Sequence, residues 1–345
     1  MKSLLERTES GLYCPQGDFF VDPIRPVKRA VISHAHADHA RAGCQSYLSS
    51  QEGANLLRLR MNQDADFTFL AFGEHLSIGG VSISFHPAGH ILGSAQIRLE
   101  HRGFVALVTG DYKLEPDPTC TPWTPVRCHH LVTESTFGLP VFHWPEQQSV
   151  QQAINSWWQG NRDSGRASIL YGYAVGKSQR ILSGLDPSIG PIFTHGAVEK
   201  GVEAYRRSGI HLPKTTYVSR ADPKQDYGGA MIIAVPGAHG SPWLRKFGPK
   251  RTAMASGWTM MRGWRRRRSM DQGFVVSDHV DWNSLLEAVK QSEAEQIWVD
   301  HGYSEVVARY LNEIGYQAVS IDTKHESADT DQELIATLAN REGTA

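Results

Sequence analysis

Apolar positions in the first third of the chain fall into short runs that alternate with polar residues or stand alone, and Gly, Pro and charged residues fill the gaps between them. Residues 29–33 (RAVIS) read as a buried strand, while 81–86 (VSISFH) and 95–100 (AQIRLE) alternate with period two, as half-buried strands do. Residues 104–111 (FVALVTGD) form a further apolar run ending in Gly-Asp. Between these strands, Leu56, Leu57 and Leu59 keep helical spacing within residues 49–61. Strands, one helix and more strands with Gly and Pro turns predict a layered α/β or α+β domain.

The pattern then changes period. Residues 149–160 predict a helix stopped by Gly160, residues 167–174 a buried strand, 176–185 a helix and 228–236 another buried strand. This alternation reads as a small parallel α/β unit. The C-terminal part returns to a strand-like run near Val275 and Val276, a helix over 282–293, a strand at 296–300, a helix over 305–313 and a strand at 317–322. A last helix is expected from Thr330, where Glu333 completes a capping box.

Composition narrows the class. The 345 residues are 40% hydrophobic and 21% charged, as in ordinary globular proteins, and no run of about 18 apolar residues predicts a membrane span. Four cysteines without a CxxC pair, and a start interrupted by Glu6 and Glu9, predict a cytoplasmic protein with reduced thiols. Net charge is −1, yet nine basic and no acidic residues lie between Arg245 and Arg268, and the balance reverses beyond Asp322. That asymmetry predicts a local anionic ligand.

The candidate chemistry lies where strands end. VISHAHADHA (31–40) places His34, His36, Asp38 and His39 directly after a strand, with Ala35, Ala37 and Ala40 leaving room around them. Two imidazoles suit one zinc-like ion, and a carboxylate with an imidazole suits a second. Alone, such a stretch is as readily a polar turn. HPAGHILGSA adds His90 just beyond a strand, and LVTGDYK adds Asp111 at the end of another. A lone His90 is most often a cap and a lone Asp111 a turn former, but three strand ends carrying ligand types predict a shared centre.

HAHADH, AGHILGSA and GDYK resemble the second, third and fourth motifs of the metallo-β-lactamase superfamily, and Asp22 in FFVDP resembles the first, with Asp18 as the competing choice. The resemblance implies an αββα sandwich. It also implies that His34, His36, His90 and Asp111 hold one metal, that Asp38, His39 and Asp111 hold another, and that Asp22 orients a ligand histidine. Downstream, Glu134 in VTESTFG, His279 in VVSDHVD and His301 in WVDHGY resemble motifs A, B and C of the β-CASP nuclease branch. By that resemblance His301 completes the second metal site, and Asp38, His279, Glu134 and Asp22 are catalytic. The metallo-β-lactamase domain then spans 1–139 and 273–345, interrupted by a β-CASP α/β domain at 140–272.

The implied activity is two-metal phosphodiester hydrolysis with zinc or manganese. Substrate contacts are expected from Arg262, Arg265, Arg266, Arg267 and Arg268, with Trp264 for stacking and Lys177 and Ser178 at a helix start. YAVGKSQR is not a Walker motif, because Tyr171 stands where Gly is required. The opening GLYCPQGDFFVDP and ESTFGLPVFHWP look most like bacterial ligase-associated DNA exonucleases. The expected role is therefore a DNA exonuclease in repair, acting on ends or single strands beside a DNA ligase and a helicase. The alternatives are a ribonuclease resembling messenger-RNA 3′-end processing factors, an idle scaffold and a small-molecule hydrolase.

Overall fold

The computed structural model describes residues 3–61, 65–261 and 270–321. They form a mixed α/β protein with three sheets. Two units divide it: one takes residues up to 143 and those from 278 onward, the other takes 144–277.

The first sheet runs in chain order through β1 (Glu6–Thr8), β2 (Gly11–Cys14), β3 (Phe19–Val21), β4 (Arg29–Val31), β5 (Ser46–Ser50) and β6 (Asp66–Leu70). It is antiparallel up to β3 and parallel beyond it. Because Val21 pairs with Val31 across β3 and β4, Asp22 and Ile32 leave the sheet side by side. The expected strand at 29–33 ends at Val31, since Ile32 onward begins the ligand loop. Helix α1 (Ala54–Arg60) buries Leu56 and Leu57.

The second sheet begins with the antiparallel strands β7 (His75–Ile78), β8 (Val81–Pro87), β9 (Ala95–His101) and β10 (Phe104–Val108). Strand β11 (His130–Glu134) lies parallel to β10. The β8–β9 turn is fixed by close backbone approach. A Cβ on Gly89 (φ +72°) would lie 2.3 Å from the Lys113 carbonyl oxygen, and one on Gly93 (φ +71°) would lie 2.0 Å from the Gly53 nitrogen.

In the second unit, α2 (Gln147–Asp163) leads to β12 (Ala167–Tyr171), α3 (Lys177–Ser183), β13 (Ile192–Thr194), α4 (Gly196–Arg207), β14 (Thr216–Tyr217), β15 (Met231–Ala234), β16 (Lys250–Ala255) and β17 (Gln272–Phe274). Its six strands are all parallel in the order β14-β13-β15-β12-β16-β17. Gly160 does not stop α2. A Cβ there would meet open space, and beyond it Asn161 is anchored by a 2.9 Å bond from its Nδ2 to Ser168 Oγ. With no steric need for glycine and a buried contact further on, the helix continues to Asp163.

From residue 278 the chain returns to the first unit with α5 (Trp282–Ser292), β18 (Gln296–Asp300), α6 (Ser304–Glu313) and β19 (Gln317–Ser320). Strand β18 joins β11 in parallel, with Glu134 opposite Asp300. The helix expected from Thr330 lies outside the described residues. One face of this sheet, with Ile83, Phe85, Ile97 and Val108, packs against Val31 and Leu48 of the first sheet. The other face packs Leu107, Leu131 and Ile297 against Leu285 and Val289 of α5 and Val307 and Leu311 of α6. Both cores draw on apolar side chains that are close to fully buried, which by area is the main stabilising contribution. All four cysteines are buried free thiols. No helix among the described residues is long and apolar enough to cross a membrane.

His130, at the start of β11, is buried with Nδ1 2.9 Å from Ser3 Oγ and its ring 4.5 Å edge-on from Trp298, while Nε2 has no hydrogen-bond partner. Burial pushes its pKa down to about 4. The unfolded chain therefore takes up this proton first as pH falls. His130 costs no stability above about pH 6.5, and between there and about pH 4 its charging removes about 3 kcal/mol. In His130→Gln, the drop in melting temperature between pH 7 and pH 4.5 is expected to shrink. A drop as large as that of the wild type would contradict the assignment.

Candidate metal centre

The site residues come from strand ends that the sheet registers bring together. Parallel β3 and β4 deliver Asp22 and the loop carrying His34, His36, Asp38 and His39. Strands β10, β11 and β18 are parallel neighbours, and they deliver Asp111, Glu134 and the Asp300–His301 pair at one end. Strand β8, antiparallel to β9 and so parallel to β10, delivers the turn that carries His90.

His34, His36, His90 and Asp111 each offer a donor atom within 4.8 Å of all the others. His34 Nε2 is 3.4 Å and His90 Nε2 3.6 Å from Asp111 Oδ2, and His90 Nε2 is 3.0 Å from His36 Nδ1. A tetrahedron with metal–ligand bonds of about 2.05 Å has edges of about 3.4 Å. The His34 Nε2 atom is buried without a hydrogen-bond partner, which is costly for a polar atom unless something else meets it. Donor type, spacing and this orphaned nitrogen all fit a divalent cation.

Hydrogen bonds at the far side of each ring set which nitrogen is offered. Ser33 Oγ donates to Asp22 and so accepts from His34 Nδ1 at 3.0 Å. His39 Nδ1 donates to Asp22 Oδ2 at 2.8 Å, and His90 Nδ1 donates to the Asp278 carbonyl at 2.9 Å. A carbonyl and an ionised carboxylate can only accept, so these rings carry their proton on Nδ1 and leave Nε2 for the site. His301 repeats the arrangement, with Nδ1 3.2 Å from Asp300 Oδ2 and its backbone N–H donating to Asp300 Oδ1 at 2.9 Å. His36 alone of the proposed ligand histidines turns Nδ1 toward the cluster.

Asp111 faces two ways. Oδ2 meets His34 and His90, whereas Oδ1 is 3.4 Å from His39 Nε2. A second, looser group therefore gathers on the Oδ1 side, with Asp38 Oδ2 4.0 Å from His39 Nε2 and the His301 ring stacked on His39 at 5.5 Å. Burial pushes the Asp111 carboxyl up, but the charges of His39 and His279 and the close approach of the His34 and His39 rings outweigh it and hold it well below the usual carboxylate range. Burial favours neutral His39, yet Asp111 and Asp38 raise it well above its ordinary value. His90 is driven well below its own by burial, with His279 and His34 adding to it. The cluster thus holds an ionised carboxylate against opposing burial, the electrostatic condition for taking a cation.

His279 stands beside this cluster, its ring 4.7 Å from His90 and Nδ1 3.9 Å from Asp111 Oδ2. Both Glu134 carboxylate oxygens lie 3.0 Å from His279 Nδ1, and the Tyr112 N–H donates to Glu134 Oε1 at 2.9 Å. Asp22 is the acid at His39, whereas Asp18 is exposed and engages Tyr13 and Arg29. Asp22 holds φ +43°, a conformation that costs a non-glycine residue free energy and is kept here by its bonds to Ser33 and His39.

The remaining expected contacts lie elsewhere. Lys177 and Ser178 open α3 in the second unit. Ser178 is fully buried and its hydroxyl donates to the Tyr173 carbonyl at 2.6 Å, which braces the turn. Lys177 is also buried, its ammonium 4.4 Å over the Tyr173 ring. Arg262, Trp264, Arg265, Arg266, Arg267 and Arg268 lie outside the described residues. Sequence reading missed Ser33, the Asp278 carbonyl and Asp300. Only Asp300, adjacent to His301, had a visible signal.

No protein-family model matches the chain. A probable DNA ligase of Opitutus terrae is 33% identical over 313 residues, 90% of this chain and 30% of that protein. Endoribonuclease YSH1 of Kluyveromyces lactis is 20% identical over 310 residues, 73% of this chain and 40% of that protein. Similarity to these relatives is in keeping with the resemblance to the metallo-β-lactamase superfamily. The chain spans well under half the length of either relative. A crystal structure of a protein of unknown function from Enterococcus faecalis V583 shares the fold, with a TM-score of 0.56, 12% identity and coverage of 85% of this chain and 78% of that one.

Asp22→Ala and Asp300→Ala are each expected to leave the fold intact and weaken retention of a divalent ion about 10- to 100-fold. Chelator competition reads this directly. Wild-type retention in both variants would show that these acids do not orient the ring nitrogens.

Proposed function

We propose that the chain is a metal-dependent phosphodiesterase that cuts nucleic acid, with DNA the preferred substrate. One observation carries the reading: a histidine held by a buried carboxylate, His279 with Glu134, stands directly beside the His34–His36–His90–Asp111 donor set. When bound, divalent ions supply Lewis acidity toward a phosphoryl oxygen and make a water acidic enough to lose its proton near neutral pH. His34, His36, His90 and Asp111 would hold one ion, and Asp38, His39, His301 and Asp111 the other.

The rest falls to the chain's own groups. Glu134 holds the His279 proton at Nδ1 and favours the charged ring, so Nε2 can carry a second proton to a departing alkoxide. The Tyr112 N–H fixes the Glu134 carboxylate, so the pair keeps its geometry as charge moves. DNA is favoured by the similarity to the protein named a probable DNA ligase, which also makes a ligase a candidate partner in repair. The competing reading, an RNA-cutting enzyme, is supported by similarity to the endoribonuclease.

His279→Ala is expected to lower cleavage about 10²- to 10⁴-fold while retaining metal, whereas His36→Ala loses both. Metal content measured beside rate separates the two, and equal metal loss in both variants would remove His279 from the acid role. End-labelled single-stranded DNA, duplex DNA and RNA of one sequence, each with zinc or manganese, test the substrate. DNA is expected to be cut faster, and faster RNA cleavage with every metal would reverse the assignment.

A further inference from the structure

His279 and Glu134 stand close enough to Asp111 for the three to form a donor group of their own. One donor atom from each lies within 4.8 Å of the other two, and all three residues belong to the first unit. The nitrogen concerned is His279 Nδ1, which lies 3.0 Å from Glu134 Oε2 and 3.9 Å from Asp111 Oδ2. Those two distances bracket the edge of about 3.4 Å that four donors take around a zinc-sized ion.

Three protein donors of nitrogen and oxygen type, with solvent in the fourth position, are the chemistry of an open zinc site. The Tyr112 N–H anchors Glu134 through Oε1 at 2.9 Å, which leaves Oε2 facing the ring. The His279 side chain is 17% exposed, against 6% for Asp111 and 2% for Glu134, so the imidazole is the group through which solvent and an ion reach the other two.

We propose that Asp111, Glu134 and His279 form a third cation position, and that a zinc ion there stops cleavage. The inference rests on the phosphodiesterase reading and adds to it inhibition by an excess of the metal that the reaction needs. In the working enzyme Nδ1 keeps a proton for Glu134, and the ring takes a second at Nε2. When zinc takes the Nδ1 lone pair, the Nδ1 proton leaves to solvent. The ring then holds one proton, at Nε2, and is no longer the imidazolium that protonates a departing alkoxide. An ion here shares Asp111 with one already held, and like charges repel at close range, so this position fills last and at higher free zinc. Manganese binds imidazole less tightly than zinc does, so it is expected to inhibit only at higher concentration.

The test measures bound zinc and cleavage together on the full chain. Equilibrium dialysis across a zinc-buffered series, with metal analysis, is expected to show two equivalents held tightly and one more at higher free zinc. Exposed histidines also bind zinc and the chain has 16 histidines, so the third equivalent is assigned by difference. Glu134→Gln keeps an acceptor for Nδ1 but removes the charge. It is expected to weaken the third equivalent by more than about tenfold and to leave the first two in place. Long-range proton–nitrogen NMR of wild type reads the same position if that variant fails to fold: His279 Nδ1 is expected to shift beyond two equivalents and not before. Cleavage of end-labelled single-stranded DNA is expected to rise, pass through a maximum and fall as the third equivalent binds. Wild-type zinc retention in Glu134→Gln, a His279 Nδ1 that never shifts, or a rate in active enzyme that never falls would each overturn the proposal. If the third equivalent binds at His279 but neither DNA nor RNA is cut at any zinc concentration, the phosphodiesterase reading fails and the cation position stands. If nucleic acid is cut at every zinc concentration and His279 Nδ1 never shifts, the cation position fails and the phosphodiesterase reading stands.

Discussion

Four of the five candidate ligand rings are held from behind. Asp22 through Ser33, Asp22 directly, the Asp278 carbonyl and Asp300 accept from Nδ1 of His34, His39, His90 and His301. An imidazole has two chemically similar nitrogens, and a free ring rotates and exchanges its tautomer. Acceptors at Nδ1 remove that freedom before any ion arrives, so the ordering cost is met during folding. The same device sets His279 through Glu134.

The fold serves this requirement through register. Parallel pairing of β3 with β4 puts Asp22 next to the loop whose rings it orients. The parallel triplet β10, β11 and β18 lines up Asp111, Glu134 and Asp300, while tight packing on both sheet faces resists a slip. A slip of one residue on any of these strands would turn each carboxylate to the wrong face. Asp22 and His301, two of the five non-glycine residues with positive φ among the described residues, lie at the site and are held there by their orienting contacts.

The chemistry was more legible in the sequence than the geometry. His34, His36, His90 and Asp111 announce themselves because few residue types bind a cation and these follow apolar runs. Their orienting groups do not: the Asp278 contribution is a carbonyl that any residue possesses, and Ser33 reads as an ordinary turn residue. The alternating strands β8 and β9 were readable from period two, whereas β1, β3 and β14 are two or three residues long and too short to display a period. Helix α4 was hidden by Gly201, a helix-weakening residue required by close packing, since a Cβ there would lie 2.7 Å from Gln179 Nε2. Lys177 and Ser178, residue types that suit a phosphate, are both buried.

The claim that acceptors behind the rings dictate the donor set is tested most directly by long-range proton–nitrogen NMR of the histidines during titration with zinc. The account predicts that His34, His39, His90 and His301 keep the proton on Nδ1 and show the zinc-dependent nitrogen shift at Nε2, with His36 alone of the five candidate ligand rings responding at Nδ1. Zinc-dependent shifts at Nδ1 of His34 or His90 would contradict it.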